Sequence, residues 1–233
     1  MISEPARSWA FRWSVEISAA RAFLRLAAEF EALGYPDGFA SACRDAAADE
    51  TRHAALCEEL ARAHGADGPA PLDEPLTFAP GGMSRDHALV YDVVARCCIA
   101  ETESMATLVT LSPLSQGRAK EVVREISKDE ITHARLGWEL LRHLHDQGAD
   151  VRFLGPHVAG MLAANGDPTF VTADDAGAVA HGVLSAELKR QVFTECVTDV
   201  VLPGLELYGI DTSGARTWLS SKQRTPQGTA LPA

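Results

Sequence analysis

Two segments of the chain repeat one chemical pattern: Asp49-Glu50-Thr51-Arg52-His53-Ala54 and Asp129-Glu130-Ile131-Thr132-His133-Ala134. In each, a glutamate precedes a histidine by three residues, a spacing that stacks both side chains on one face of a helix. A chain with 17 glutamates and eight histidines meets roughly half such a pair by chance, so the weight lies in the repetition and the setting. Two further glutamates, Glu16 and Glu101, occupy equivalent places on other apolar stripes. Four carboxylates and two imidazoles balance the charge of two divalent cations, and this oxygen-plus-nitrogen donor set suits iron or manganese.

Four long stretches must position these groups. The first runs from about Ala6 to Leu33 and stops at Gly34-Tyr35-Pro36-Asp37-Gly38, where a stop, a turn and a new start coincide. The second runs from about Gly38 to His64. A linker, Gly65 to Gly82, carries prolines 69, 71, 75 and 80 and reads as an ordered crossover along a bundle. The third starts behind Ser84, a residue suited to capping, and reaches about Leu111. The fourth follows a turn at Ser112–Gly117 and ends near Asp146.

The stripes keep alternating steps of three and four, the seam of a left-handed bundle. They read Trp9, Trp13, Glu16, Ala20, Phe23, Ala27, Phe30; then Phe39, Cys43, Ala46, Glu50, His53, Cys57, Leu60. The third and fourth read Val90, Val94, Cys97, Glu101, Ser104, Leu108, Leu111 and Val123, Ile126, Glu130, His133, Gly137, Leu140, Leu144. Each is apolar or small except at one level. Glu16 and the Glu50/His53 pair are symmetric about Gly34, and Glu101 and Glu130/His133 are symmetric about the second turn. Antiparallel pairing therefore brings all six to one height. No lysine or arginine shares the seams, and unpaired buried carboxylates carry a desolvation penalty that bound cations would remove.

The pattern resembles that of the ferritin-like di-iron carboxylate proteins, in which one glutamate from each of two helices joins a Glu-x-x-His from each of the other two. The resemblance covers about residues 8–146, and all six ligand positions are present. It implies an all-α, antiparallel four-helix bundle with a long crossover between its second and third helices. Glu16 and Glu101 become terminal ligands, Glu50 and Glu130 bridging ones, and His53 and His133 bind one metal each. Glu103 rivals Glu101 but lies about 200° around the helix and off the seam. Asp49 and Asp129 are placed to accept the free N–H of the ligand histidine on the neighbouring helix, which fixes the imidazole tautomer.

Residues 1–147 make up the expected bundle, 148–219 a helical extension packed on it, and 220–233 a disordered tail. Within the extension a short helix is expected near Val158–Ala164 and a long one from Ala178 to Tyr208, interrupted at Pro203-Gly204. His157 and His181 could approach the metals, by analogy with N-oxygenases that use an additional histidine. Glu187 and Glu195 are more ordinary as solvated groups.

The family's activities include iron storage and ferroxidation, peroxide scavenging, manganese catalase chemistry and oxygen-dependent hydroxylation or N-oxygenation. The absence of a Cys-x-x-Cys pair argues against a rubrerythrin with its rubredoxin module. Tyr91, ten residues and about 15 Å along the helix from Glu101, is too far for a tyrosyl-radical role. Small seam neighbours (Ala20, Ala46, Cys57, Cys97, Ser104, Gly137) leave room for dioxygen and substrate, or else allow close backbone approach. The favoured reading is an O₂-activating di-iron oxygenase acting on a small or carrier-bound organic molecule, catalysed through Glu16, Glu50, His53, Glu101, Glu130 and His133. It would draw electrons from a ferredoxin or reductase. The alternatives are a ferroxidase or peroxide scavenger and a metal-binding helical module without catalysis.

Composition narrows the setting. The 233 residues are 46% hydrophobic with a net charge of −11. The acidity argues against nucleic acid and anionic membrane surfaces. No apolar run is long enough to span a bilayer, and no secretory signal is read at the start. Five cysteines, an odd number without metal-site spacing, favour a reducing cytoplasm. Assembly state stays open, a homodimer among the options.

Overall fold

A computed structural model describes residues 2–72, 77–165 and 177–223. Its first rod, α1 (Glu4–Leu33), opens where Ser3 Oγ accepts a hydrogen bond from the Ala6 amide, with Pro5 in the first turn. It closes at Gly34, whose φ of 73° is the left-handed conformation that terminates helices. Pro36 then leads into α2 (Asp37–Ala63), which packs antiparallel along α1.

The crossover returns along the outside of this hairpin. Ala70 donates its amide to the Ala10 carbonyl at 3.0 Å. Buried Asp92 then gathers Thr77 Oγ1, the amides of Phe78 and Ala79, and the Arg25 guanidinium. One carboxylate thus satisfies the amides of Phe78 and Ala79 in a loop that forms no regular element, while residues 73–76 of the expected ordered crossover lie outside the described residues.

The third rod has three parts: α3 (Arg85–Val93), a π-helical segment (Val94–Glu101) and α4 (Thr102–Leu114). Ser84 caps it by accepting from the His87 amide. The widened turns, a feature frequent at functional sites, end at Glu101. A two-residue turn leads to α5 (Gly117–Asp146), antiparallel to α4, and α2 and α5 pack together.

The apolar core splits into two clusters. One holds Phe23, Leu26, Phe30, Val94, Ile99, Leu136 and Leu140; the other holds Trp9, Trp13, Leu60, Leu108, Leu111, Val123 and Ile126. Between them lie the six predicted acidic and histidine positions, all buried. One seam assignment is corrected: Ala19 is buried and Ala20 only half-buried, so the α1 stripe steps Glu16, Ala19, Phe23.

Beyond α5 the extension departs from expectation. A short 3₁₀ segment (Arg152–His157) leads into α6 (Val158–Asn165), which contains the predicted short helix. The long helix expected from Ala178 does not form there. Ala178–His181 is a 3₁₀ turn that stops at Gly182, φ 80°, and the helix restarts behind Ser185, whose Oγ accepts from the Leu188 amide. From α7 (Ala186–Cys196) the chain passes through π-helical turns (Val197–Val201) into α8 (Leu202–Glu206), which begins around Pro203. Proline has no amide to give and disrupts a regular ladder.

A last helix, α9 (Ser213–Gln223), was not expected from the sequence. It packs Ala215 and Leu219 into the core and ties Arg216 to Glu206 at 2.8 Å. Residues 220–223 form its final turn; the rest of the expected tail lies outside the described residues, as do 166–176. Among the described residues no strand forms, and no helix is long and apolar enough to cross a membrane.

Candidate metal centre

Each hairpin supplies half of the buried polar layer. The helices that carry both members of a Glu-x-x-His pair, α2 and α5, are in direct contact, and this brings His53 and His133 to a ring separation of 5.9 Å. Glu16 enters from α1, and Glu101 from the junction of the π-helical segment with α4.

The donor atoms fall into two groups, each within 4.8 Å: Glu16, Glu50, His53 and Glu130, and Glu50, Glu101, Glu130 and His133. Glu50 and Glu130 belong to both, while each group has its own histidine and its own further glutamate. This is the geometry of two cation sites sharing two carboxylates. All six sequence-predicted residues are brought together.

The polar atoms themselves indicate that the donor set suits cations. Glu50 Oε1, Glu130 Oε2 and His133 Nδ1 are sealed from solvent and have no hydrogen-bond partner. Glu50 Oε1 and His133 Nδ1 stand 2.9 Å apart without hydrogen-bond alignment, an arrangement natural for two ligands facing a common centre. Buried polar atoms left unsatisfied are costly, and a divalent ion would satisfy all three.

The electrostatics of the buried layer point the same way. Burial, then the charges of Glu50 and Glu130, push the Glu16 carboxyl well above the ordinary range. Glu101 is raised by burial and by the same two neighbours. Burial also presses Glu50 upward, but contacts with His133, His53 and Glu16 outweigh it and hold that carboxyl low. For His133, burial favours the neutral ring, yet Glu130 and Glu50 lift it to about 11. His53 is raised in the same way, by Glu50 and Asp129 against burial.

Outside this layer, the two motifs brace one another. His53 Nε2 meets Asp129 Oδ2 at 3.0 Å, and His133 Nε2 meets Asp49 Oδ2 at 3.4 Å. Each aspartate thus holds the histidine of the other helix, leaving Nδ1 toward the cluster. Arg52 binds both aspartates, at 2.8 Å to Asp49 and 2.6 Å to Asp129. Sequence reasoning missed Arg52. Its signal was a single cation inside one acidic motif, where the second motif has Thr132.

The remaining candidates lie elsewhere. His157 packs edge-on against Tyr91, and His181 lies against His64 while its carbonyl accepts from Trp9 Nε1. Glu187 and Glu195 are exposed on α7. None of the four joins the donor groups. Glu103 is outside them too, accepting instead from Thr107 at 3.0 Å. All five cysteines are buried free thiols, and Cys57 contacts Glu16.

A cavity of about 450 Å³ lies between α1 and α4 and touches Glu16, Glu101 and Glu130, on the side away from the histidines. Trp9, Ala19, Ser104 and Leu111 form part of its wall, and Gly182, Val183 and Leu184 from the extension complete it. Of the small seam residues, Ser104 lines this space. Gly137 does the opposite work, since a Cβ there would lie 2.5 Å from Cys98 Sγ and 2.9 Å from Cys97 Cβ. Close backbone approach explains that glycine.

Taken together, the helical bundle, its crossover and its buried layer define an all-α protein of ferritin-like fold. No protein-family model matches the chain, and neither does any curated protein sequence. Among solved structures it is similar to a Synechococcus protein described as "Protein 19 with aldehyde deformylating oxidase activity". The TM-score is 0.62 at 18% identity, over 94% of this chain and 95% of the other. Identity at that level speaks to the fold.

Proposed function

We propose that the protein is a non-haem di-iron oxidase or oxygenase acting on a small or carrier-bound organic substrate. The observation that carries this reading is the contact between the paired donor groups and the adjoining cavity. An iron-storage or ferroxidase role needs the donors; it gives no reason for a walled space of about 450 Å³ beside them. The oxidase activity in the Synechococcus protein's description supports the same direction.

Glu16, Glu50, Glu101 and Glu130, with Nδ1 of His53 and of His133, would hold two iron ions, manganese being the other metal that fits. Iron bound there would supply the electrons and Lewis acidity for reducing dioxygen, to be restored by an external donor such as a ferredoxin or reductase. Asp129 and Asp49 keep the Nε2 proton on each histidine and so fix which nitrogen faces inward. The two apolar clusters exclude water from the layer between them, and the cavity positions substrate on the Glu16, Glu101 and Glu130 side.

Anaerobic titration with ferrous iron followed by oxygen tests this. Saturation near two irons per chain, with optical changes on oxygen addition, is expected. Uptake of many irons into a mineral core would establish the ferroxidase alternative instead. Glu50→Ala combined with Glu130→Ala should abolish tight metal binding, because both sites lose two of four donors.

A further inference from the structure

The cavity wall includes Arg12 of α1, one of whose guanidinium donors is unsatisfied among the described residues. Arg12 lies one helical turn before Glu16 on α1, its guanidinium 5.6 Å from the centroid of the Trp9 ring. Arg12 Nη1 is sealed from solvent and has no hydrogen-bond partner among the described residues. Arg96, 5% exposed, lies over the Phe78 ring at 5.2 Å and lines the same space, as does Lys189 of α7. The carboxylates on this wall are Glu16, Glu101 and Glu130, which belong to the donor groups, and Glu103, which accepts from Thr107. If Glu16, Glu101 and Glu130 hold metal, their charge is committed to it.

We propose that this cavity takes an organic monocarboxylate, its carboxylate seated on Arg12 and its apolar body lying along Trp9, Phe11 and Leu184 toward Glu16 and Glu101. A guanidinium presents paired donors to a carboxylate, and a carboxylate placed there would satisfy the orphaned Nη1. Aromatic and aliphatic walls with a guanidinium among them suit a small amphipathic acid. The proposal rests on the di-metal reading above, since it is metal that would consume the charge of the neighbouring glutamates. It narrows the substrate class from small organic molecules to free acids.

Calorimetric titration of the full chain with octanoate and with 4-phenylbutyrate, each beside its primary amide, tests the assignment. Acids are expected to bind about tenfold or more tightly than the matching amides, as a charge-assisted hydrogen bond predicts. Arg12→Gln should erase that preference and Arg12→Lys keep part of it, with circular dichroism confirming that both variants fold. Equal affinity for acid and amide, no binding of either acid, or a preference that Arg12→Gln leaves intact overturns the proposal. Metal content is measured by emission spectrometry on the same preparations. Absence of metal would sink the di-iron reading by itself, whereas the acid-to-amide ratio, read before and after chelation, judges Arg12 separately.

Discussion

At the scale of single residues, shifted proton affinities in the buried layer make stability depend on pH, and metal bound there would change the sense of that dependence. Glu16, Glu101, His53 and His133 all have folded-state proton affinities above their ordinary values. Each raised group stabilises the fold fully below its unfolded pKa and loses that contribution as pH rises through the folded one. For His133 the window runs from 6.5 to about 11. Glu50, held low, acts in the other direction, and its contribution is lost only as pH falls below 4.5 toward its folded value. Chelator-treated protein should therefore melt at lower temperature at pH 9 than at pH 6. Added Mn²⁺ should stabilise it more as pH rises, because ligation requires the deprotonated groups. Scanning fluorimetry across that range, with and without chelator, checks both signs. The brace outside the ligands gives a separate expectation: Asp129→Asn should weaken metal binding by about 10- to 100-fold while leaving all six ligands in place. Competition against a chromophoric chelator measures it.

Elements show where local chemistry and packing divide the work. Ser3, Ser84 and Ser185 each cap a helix through an oxygen that accepts from an amide three residues on. Ser185→Ala should cost about 1 kcal/mol in denaturant unfolding without altering the metal centre. Gly137 is a different case, since it lets α5 approach the π-helical segment that ends at Glu101. Gly137→Ala would drive a methyl group into the Cys98 thiol and the Cys97 Cβ and should destabilise by about 1–3 kcal/mol. Because that segment presents Glu101, metal affinity should fall as well, a coupling that the cap substitution lacks. Gly204 plays a similar part in the extension, where a Cβ would lie 2.7 Å from the Trp138 ring.

For the whole molecule, the buried polar layer divides one core into two, and the C-terminal extension closes the space this layer leaves between α1 and α4. Two faces of the centre follow from that arrangement. On the α2/α5 side Arg52, Asp49 and Asp129 brace the histidines; on the α1/α4 side the cavity meets Glu16, Glu101 and Glu130. The brace and the cavity thus meet the donor groups on different faces.

The six inward groups and the crossover were legible from sequence because helical periodicity and hairpin symmetry are local rules. A glutamate on a three-and-four stripe must share the burial of the phenylalanines and leucines beside it, and a short turn sets the height of its partner. The aspartate braces followed from the same spacing. The break at Gly182 was less legible, because a glycine within an apolar run is tolerated in some helices and stops others; here its left-handed φ and the Trp9 ring against it decide the outcome. Helix α9 escaped because its apolar residues are few and gain their burial only from distant partners. The cavity, the orphaned Arg12 and the clasp of Arg52 across two helices belong to tertiary structure alone. They depend on which surfaces meet after 50 or more intervening residues, and on how much room those surfaces leave, which spacing along one chain does not encode.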